Sequence, residues 1–165
     1  MPIDAAALRL RFSMTRSFSL LAFLVSVIGV APLRAELPWI TSMADAKVMA
    51  SKADRRLILE FTGSDWCYAC KKLEAEVFSS AEFEYYAGSC ILVRLDYPNK
   101  KKLPLDEVKQ NSALKDEYKV EAFPTVVITD AFGHEVSRAV GYKPGSGPKA
   151  YLTVLTGETP PAVHY

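Results

Sequence analysis

The chain has 165 residues, a length that corresponds to about one domain. Half of the residues are hydrophobic and 24% are charged, which is enough to build a packed core and excludes a disordered or collagen-like protein. The 20 Lys and Arg residues nearly balance the 19 Asp and Glu residues. Because there is no basic surplus to neutralise a phosphate backbone, the composition disfavours nucleic acid as a partner.

The N-terminus has the three parts of a secretory signal peptide. Three arginines lie within the first 16 residues, the apolar run Phe18–Val30 follows, and the small residue Ala35 ends the segment. The run is shorter than the roughly 20 residues that a bilayer-spanning helix needs. We therefore predict a signal peptide over residues 1–35 that contacts the membrane only during export, with a retained anchor as the alternative.

Residues 36–165 form the predicted mature domain. Removal of the signal segment leaves 16 basic and 18 acidic residues, a net charge of −2. Export predicts a periplasmic or secreted location, where disulfides persist because the reducing systems of the cytosol are absent. The three cysteines are too few for a disulfide scaffold, so their spacing matters more than their number.

The domain alternates helix and strand patterns. The Ser42 to Asp45 spacing predicts a helix start, while nearly continuous apolar runs predict strands that are covered on both faces. Asn111 is the predicted N-cap of a later helix. The predicted elements are a helix over 42–53, a strand over 56–62, a helix over 67–78, a strand over 91–95, the helix capped by Asn111, strands over 125–129 and 135–140, and a helix over 149–155. This order predicts an α/β fold with a central mixed sheet flanked by helices on both faces.

The segment Cys67-Tyr68-Ala69-Cys70 carries the strongest chemical signal. It follows an apolar strand and opens a predicted helix, and cysteines three residues apart on such a helix are close enough to form a disulfide. Unpaired N–H groups and the helix dipole favour a thiolate at the first position. Cys67 is therefore the predicted nucleophile, and Cys70, one turn deeper, is the predicted resolving thiol.

Two segments resemble hallmarks of the thioredoxin superfamily. Leu57–Cys70, which reads LILEFTGSDWCYAC, is similar to the family's strand, Trp-Cys junction and active-site helix. Tyr118–Thr125, which reads YKVEAFPT, is similar to the segment whose proline, usually cis, packs beside the Cys pair. The resemblance implies a thioredoxin-like fold over most of residues 42–157 and a cis bond before Pro124, in agreement with the rule that cis peptide bonds are readily accessible only before proline.

The resemblance also implies an activity. Gly-Ser-Asp-Trp-Cys at positions 63–67 is similar to a secreted bacterial branch of the family, some members of which are periplasmic disulfide reductases. We expect an exported thiol–disulfide oxidoreductase that needs no cofactor and exchanges disulfides with protein substrates and with a redox partner yet to be identified. Tyr68-Ala69 replaces the Gly-Pro or Gly-His of familiar members, so there is no histidine to stabilise the Cys67 thiolate. This disfavours a strong oxidant and leaves reduction and isomerisation open.

Four further side chains are candidates for the site. Glu60 lies where relatives have a buried acid, and it is expected to accept the proton of the resolving thiol, or else to face solvent at the end of its strand. Trp66 and Phe123 are expected to flank the sulfurs and offer an apolar surface to a substrate, or else to be core residues. Tyr68 is expected to be exposed between the cysteines.

Two other classes of function compete with this hypothesis. A zinc site would need two further ligands, and Cys90 with His134 forms no recognisable second half, so no metal is predicted. Cys90 is instead expected to be a buried, unreactive thiol, with a regulatory thiol as the alternative. The other alternative is a non-catalytic binding or chaperone module on the same scaffold, since a fold does not fix a function.

Overall fold

The computed structural model describes residues 37–158. The predicted signal peptide, its cleavage point and His164 lie outside the described residues. Within them the helices are α1 Met43–Ala53, α2 Tyr68–Leu73, a π-helical segment Glu74–Phe78, α3 Ala81–Ala87, α4 Leu105–Glu117 and α5 Gly147–Thr156, and the strands are β1 Arg56–Thr62, β2 Cys90–Asp96, β3 Thr125–Thr129 and β4 Glu135–Val140.

The four strands form one mixed sheet in the order β2-β1-β3-β4. β1 runs parallel to β2 and antiparallel to β3, and β4 is antiparallel to β3. The register places Glu60 of β1 opposite Arg94 of β2, and Phe61 opposite Thr125 of β3. The end of β1, which leads to the Cys pair, therefore lies at the same sheet edge as the start of β3.

Each face of the sheet has its own hydrophobic core. Ile58 packs with residues of α2, the π-helical segment, α3 and α5, whereas Leu57, Leu59 and Phe61 pack with α1 and α4. This coverage confirms the predicted mixed sheet with helices on both faces. Because side chains alternate along a strand, Glu60 shares the Ile58 face, the one covered by the helix that carries Cys70.

The helix predicted over 67–78 is interrupted. Regular α-helix ends at Leu73, and the chain continues as a π-helical turn before Ser79, whose hydroxyl donates to the Ala75 carbonyl at 2.6 Å. Ser80 then caps α3, which the sequence patterns did not predict, by accepting the N–H of Phe83 at 3.2 Å. Residues 67–78 thus hold α2 and a π-helical segment where one regular α-helix was expected, and α3 is an additional helix.

The prediction for Asn111 is wrong. α4 begins at Leu105, directly after Pro104, so Asn111 lies in the middle of the helix. Its side chain is buried and donates to the backbone oxygen of Asp96 at 2.9 Å, which ties α4 to the end of β2. A residue that favours N-caps is held here by a buried hydrogen bond between elements instead.

The remaining elements follow the predictions closely. Ser42 caps α1 through the N–H of Asp45, both β3 and β4 have the predicted bounds, and α5 extends the predicted last helix by two residues at its start and one at its end. No helix between residues 37 and 158 is long and apolar enough to cross a bilayer.

Candidate active site

Cys67 and Cys70 form a disulfide at the start of α2, with their Cα atoms 5.3 Å apart. Cys67 is the N-cap residue, and its Sγ accepts the backbone N–H of Cys70 at 3.1 Å. Both residues are buried, Cys67 with 6% and Cys70 with 2% of its surface exposed. An N–H group directed at Cys67 Sγ stabilises negative charge on that sulfur, so the geometry distinguishes Cys67 from the deeper Cys70.

Glu60 is buried on the face of the sheet that carries α2, with 1% of its surface exposed. Burial raises its pKa to about 7, and the guanidinium of Arg94, whose Nε lies 2.7 Å from Oε2, opposes part of that rise. Glu60 and Cys70 line the same cavity of about 270 Å³. The volume is large enough for water, so water can reach both the Glu60 carboxyl and Cys70.

Sequence reasoning missed Arg94, which organises this space. Its guanidinium forms ion pairs with Glu60 and with the half-exposed Glu74, and it stacks 4.5 Å above the ring of Trp39. The signal was present in the sequence, because Arg94 is the one charged residue in the otherwise apolar run 91–95. A charged side chain in a buried strand needs a partner of opposite charge, and the strand register places Glu60 opposite Arg94.

An aromatic surface lies beside Cys67. The ring of Trp66 is 43% exposed and meets Phe123 edge-on at 5.8 Å, while its Nε1 donates to the carbonyl of Tyr97 at 2.7 Å. The ring of Tyr97 lies 5.0 Å from that of Phe123. Tyr68 is exposed, as expected. Phe123 is half-buried, so it combines core packing with a place on this surface.

Pro124 is buried and follows a cis peptide bond from Phe123, as the resemblance implied. Its carbonyl accepts the N–H of Gly141 at 2.7 Å, which joins the start of β3 to the end of β4. Since Phe61 pairs with Thr125, this proline stands at the sheet edge from which β1 leads to Cys67. The two segments that resemble the superfamily thus meet at one edge of the sheet.

Asp65 is a second residue that sequence reasoning missed. Its carboxylate accepts the backbone N–H groups of Asn99, Lys100 and Lys101 at 2.9, 2.6 and 3.1 Å. These bonds, the one from Asn99 first, lower the pKa of Asp65. The loop before Cys67 is therefore fastened to the loop that follows β2.

The other candidate residues lie apart from the Cys pair. Cys90 is buried opposite Arg56 at the start of β1, the sheet edge away from Cys67, and burial raises the pKa of its thiol. His134 is exposed and contacts Asp130 at 2.8 Å. Within residues 37–158, no group of three or more His, Cys, Asp or Glu side chains is placed to hold a metal ion.

Comparison with known proteins assigns the fold to a family. A family model described as a thioredoxin-like domain matches residues 43–155. The chain belongs to the thioredoxin-like family. This thioredoxin-like chain is 38% identical over 120 residues to the disulfide bond reductase DsbH of Chlamydia pneumoniae, a match that covers 72% of the chain and 70% of the relative.

A larger relative and a solved structure extend the comparison. The thioredoxin-like chain is 29% identical over 121 residues to the thiol:disulfide interchange protein DsbD of Tatumella citrea; the match covers 72% of the chain and only 20% of DsbD. A solved structure of a DsbH oxidoreductase superposes with a TM-score of 0.66 at 36% identity, covering 74% of this chain and 85% of that one. Both the expected superfamily and the expected fold are confirmed.

Proposed function

We propose that the protein is an exported thiol–disulfide oxidoreductase that reduces or isomerises disulfides in protein substrates. The observation that carries the proposal is the Cys67–Cys70 disulfide at the start of α2, next to a cavity shared by Cys70 and Glu60. The similarity to a disulfide bond reductase over most of both chains supports the enzymatic class.

The reaction starts from the reduced pair. The Cys67 thiolate attacks one sulfur of a substrate disulfide, the substrate S–S bond breaks, and one substrate sulfur leaves as a thiolate that takes a proton from water. Cys70 then loses its proton and attacks Cys67 Sγ, which forms the Cys67–Cys70 disulfide and releases the second substrate thiolate. Two electrons pass from the pair to the substrate, and a redox partner returns them to the enzyme.

Glu60 accepts the proton of Cys70 in the second step. A pKa of about 7 means that near neutral pH the carboxyl exists in both protonation states, which suits a group that takes up a proton and releases it in each cycle. The shared cavity lets water carry the proton between the two side chains. Arg94 keeps part of the Glu60 population ionised, so the base is available when Cys70 attacks.

Substrate polypeptide lies on the aromatic surface. Trp66 and Tyr68 are exposed on either side of Cys67, and Phe123 joins the ring of Trp66 to the segment before β3. Extended peptide next to Pro124 would bring its disulfide to Cys67 Sγ. The substrates are proteins with accessible disulfides or thiols.

Export completes the proposal. Residues 1–35 act as a signal peptide, and residues 36–165 function as a thioredoxin-like domain in the periplasm or outside the cell. In such a compartment the oxidised pair would have to be recharged by a dedicated partner, because the cytosolic thiol pool is absent.

Insulin reduction with dithiothreitol as the recycling reductant tests the chemistry. The wild-type domain should precipitate insulin B chain well above the uncatalysed rate, and Cys67→Ser should abolish turnover. Pre-reduced Cys70→Ser, mixed with insulin after the dithiothreitol has been removed, should accumulate a mixed disulfide visible by mass spectrometry. The reduction potential should lie near the ~−270 mV of thioredoxin rather than the ~−120 mV of strong oxidants. Wild-type inactivity despite a reducible pair would instead identify a binding module.

A further inference from the structure

A groove with a basic rim lies beside the proposed active site. It follows β2 and has a volume of about 610 Å³. Its apolar lining residues include Tyr97, Leu103 and Val108. Three lysines also line it, Lys101, Lys102 and Lys115, and we call them the basic rim. Two of these lysines come from the loop after β2, and the third comes from α4, so the positive charge faces the groove from two elements.

The groove is continuous with the aromatic surface around Cys67. Tyr97 lines the groove, accepts the Trp66 Nε1–H through its carbonyl at 2.7 Å, and packs 5.0 Å from Phe123. The backbone N–H of Lys101 donates to Asp65, two residues before Cys67. A polypeptide bound at Cys67 therefore reaches the groove with its next few residues.

Apolar side chains in and beside the groove are exposed. Val108 is 47% exposed, and Leu105, one helical turn earlier on α4, is 68% exposed. Val108, Ser112 and Lys115 follow the i, i+4, i+7 spacing of one helix face, so apolar and basic contacts lie along a single line. An extended segment could place one apolar side chain on this line and its charges beside it.

The lysines have no carboxylate of their own to neutralise them. Across residues 37–158, none of the three rim lysines has an ion pair within 4.0 Å. Among the residues that the structure describes, Asp96 is the one acidic residue lining this groove, and its carboxylate already accepts the N–H and hydroxyl of Ser64 at 3.0 and 2.6 Å. The mature domain as a whole is slightly acidic, so this basic rim is a local feature.

We propose that this groove binds an acidic, extended segment of the protein partner, next to the disulfide that Cys67 attacks. The inference rests on the proposed function and adds a specificity to it. Carboxylates of the partner pair with Lys101, Lys102 and Lys115, and an apolar side chain covers Leu103 and Val108. Charges at the rim of an interface act mainly on the association rate and on its salt dependence, so acidic disulfide substrates react faster.

Single-turnover kinetics with three synthetic peptides test the proposal. Each peptide carries the same intramolecular disulfide, flanked by four acidic, four basic or four neutral polar residues. Pre-reduced protein is mixed with each peptide, and Trp fluorescence follows the second-order rate. At low salt the acidic peptide should react about tenfold faster than the basic one, and 0.5 M NaCl should remove most of the difference.

A charge-reversal pair separates the groove from general charge effects. The double variant Lys101→Glu, Lys102→Glu should abolish or invert the preference for the acidic peptide over the basic one. The matched control is the double variant Lys52→Glu, Arg55→Glu, which changes the net charge by the same amount. Both residues are exposed and lie before β1, at the opposite sheet edge. This control should keep the preference for the acidic peptide.

The outcomes separate this inference from the proposed function. Failure of the wild type to reduce the neutral peptide would overturn the proposed function. Reduction of all three peptides at equal rates, or an equal loss of preference in the control pair, would overturn the groove inference alone. If the peptide rates are equal and the lysines are instead needed for binding to phosphatidylglycerol vesicles, the groove inference is also overturned, and the basic rim is assigned to a membrane surface.

Discussion

Glu60 and Arg94 face each other on neighbouring strands, and their environment makes them unequal partners. Glu60 is enclosed, whereas Arg94 reaches outward to Glu74 and Trp39 and remains partly exposed. Burial therefore acts most strongly on the carboxyl, and its pKa rises to about 7 although a cation touches it. The residue that can change its protonation is the one that shares a cavity with Cys70.

We expect Glu60→Gln to slow the second chemical step selectively. Glutamine keeps the shape and a hydrogen bond but cannot accept a proton, so Cys70 loses its base, and positioned bases typically contribute about 10²-fold or more. Quenched-flow trapping of the mixed disulfide at pH 7 should show a correspondingly longer lifetime with little change in its rate of formation. Glu74→Gln, which also removes a carboxylate beside Arg94, should leave the lifetime close to that of the wild type. Equal lifetimes for Glu60→Gln and wild type would exclude the proton-acceptor role.

Removal of Arg94 should move the titration of Glu60 upward. The guanidinium lowers the pKa of Glu60 by its charge and its hydrogen bond, so Arg94→Met removes the main opposition to burial and raises that pKa above about 7. Carbon-13 NMR of the Glu60 carboxyl in the oxidised protein measures the midpoint directly. Arg94→Lys restores a charge and should return the midpoint toward the wild-type value. A midpoint that falls in Arg94→Met contradicts this account of the pair.

At the scale of elements, the loop before Cys67 and the loop after β2 form one unit. Trp66 donates to Tyr97, Ser64 to Asp96, and the Asp65 carboxylate accepts three backbone N–H groups from residues 99–101. The close approach at Gly63 makes this arrangement possible, because a Cβ there would lie 2.4 Å from the indole ring of Trp66. The position of the aromatic surface thus depends on glycine at position 63, where any larger side chain would meet the Trp66 ring.

We expect Gly63→Ala to displace Trp66 without removing any reacting group. The added methyl forces the indole away, which breaks its hydrogen bond to Tyr97 and opens the contact with Phe123. The rate of insulin reduction should fall by about tenfold or more, because a displaced Trp66 no longer positions the substrate. The reduction potential should stay near the wild-type value. Gly88→Ala is the control, because a Cβ there meets nothing closer than 3.5 Å. Unchanged insulin reduction in Gly63→Ala would show that the Trp66 position is not needed.

The elements that sequence predicted best are those whose signals are local. Ser42 caps α1 through its own neighbour Asp45, and the apolar runs of β1 and β2 are buried as expected. Asn111 was misassigned because its partner, the Asp96 carbonyl, is distant in sequence and only the fold brings it near. Cys67, Cys70 and Pro124 were found from motifs. The lone charge of Arg94 in an apolar run indicated a buried partner, but only the strand register identifies that partner as Glu60. Asp65 acts through loop contacts that no local pattern contains.

For the whole molecule, the distribution of charge predicts a processing step. The residues before Glu36 contain four arginines and one acid, whereas the rest of the chain is slightly acidic. We expect expression in a Gram-negative host to yield periplasmic protein whose N-terminus is Glu36, as measured by intact mass and N-terminal sequencing. Ala35→Asp should block cleavage and leave the full-length chain at the membrane. Cytosolic, uncleaved wild-type protein would contradict the export proposal.

The buried carboxyl also couples global stability to pH. Glu60 has its ordinary pKa of 4.5 when the chain is unfolded, and burial raises that pKa to about 7 when the chain is folded. Below about pH 4.5 the Glu60 carboxyl is protonated in both the folded and the unfolded chain. Between about pH 4.5 and 7 it stays protonated in the folded chain but is ionised in the unfolded chain. Ionisation therefore favours the unfolded chain, and the free energy of unfolding falls as the pH rises through this range. The full difference corresponds to about 3 kcal/mol, a large share of a typical domain's stability. Asp65, Glu76 and Asp130 have lowered pKa values, so their titration changes the free energy of unfolding at more acidic pH than that of Glu60.

Urea unfolding of the oxidised domain between pH 5 and pH 8 measures this coupling. The wild type should lose up to about 3 kcal/mol of unfolding free energy across that range, and Glu60→Gln should lose much less, because it has no charge to bury. The variant should therefore be the more stable protein at pH 8, even though it is the poorer catalyst. Glu74→Gln serves as the control and should follow the wild-type curve, since its carboxylate is half-exposed. A wild-type domain equally stable at both pH values would show that Glu60 titrates near its ordinary pKa, and the proton-transfer role would lose its physical basis.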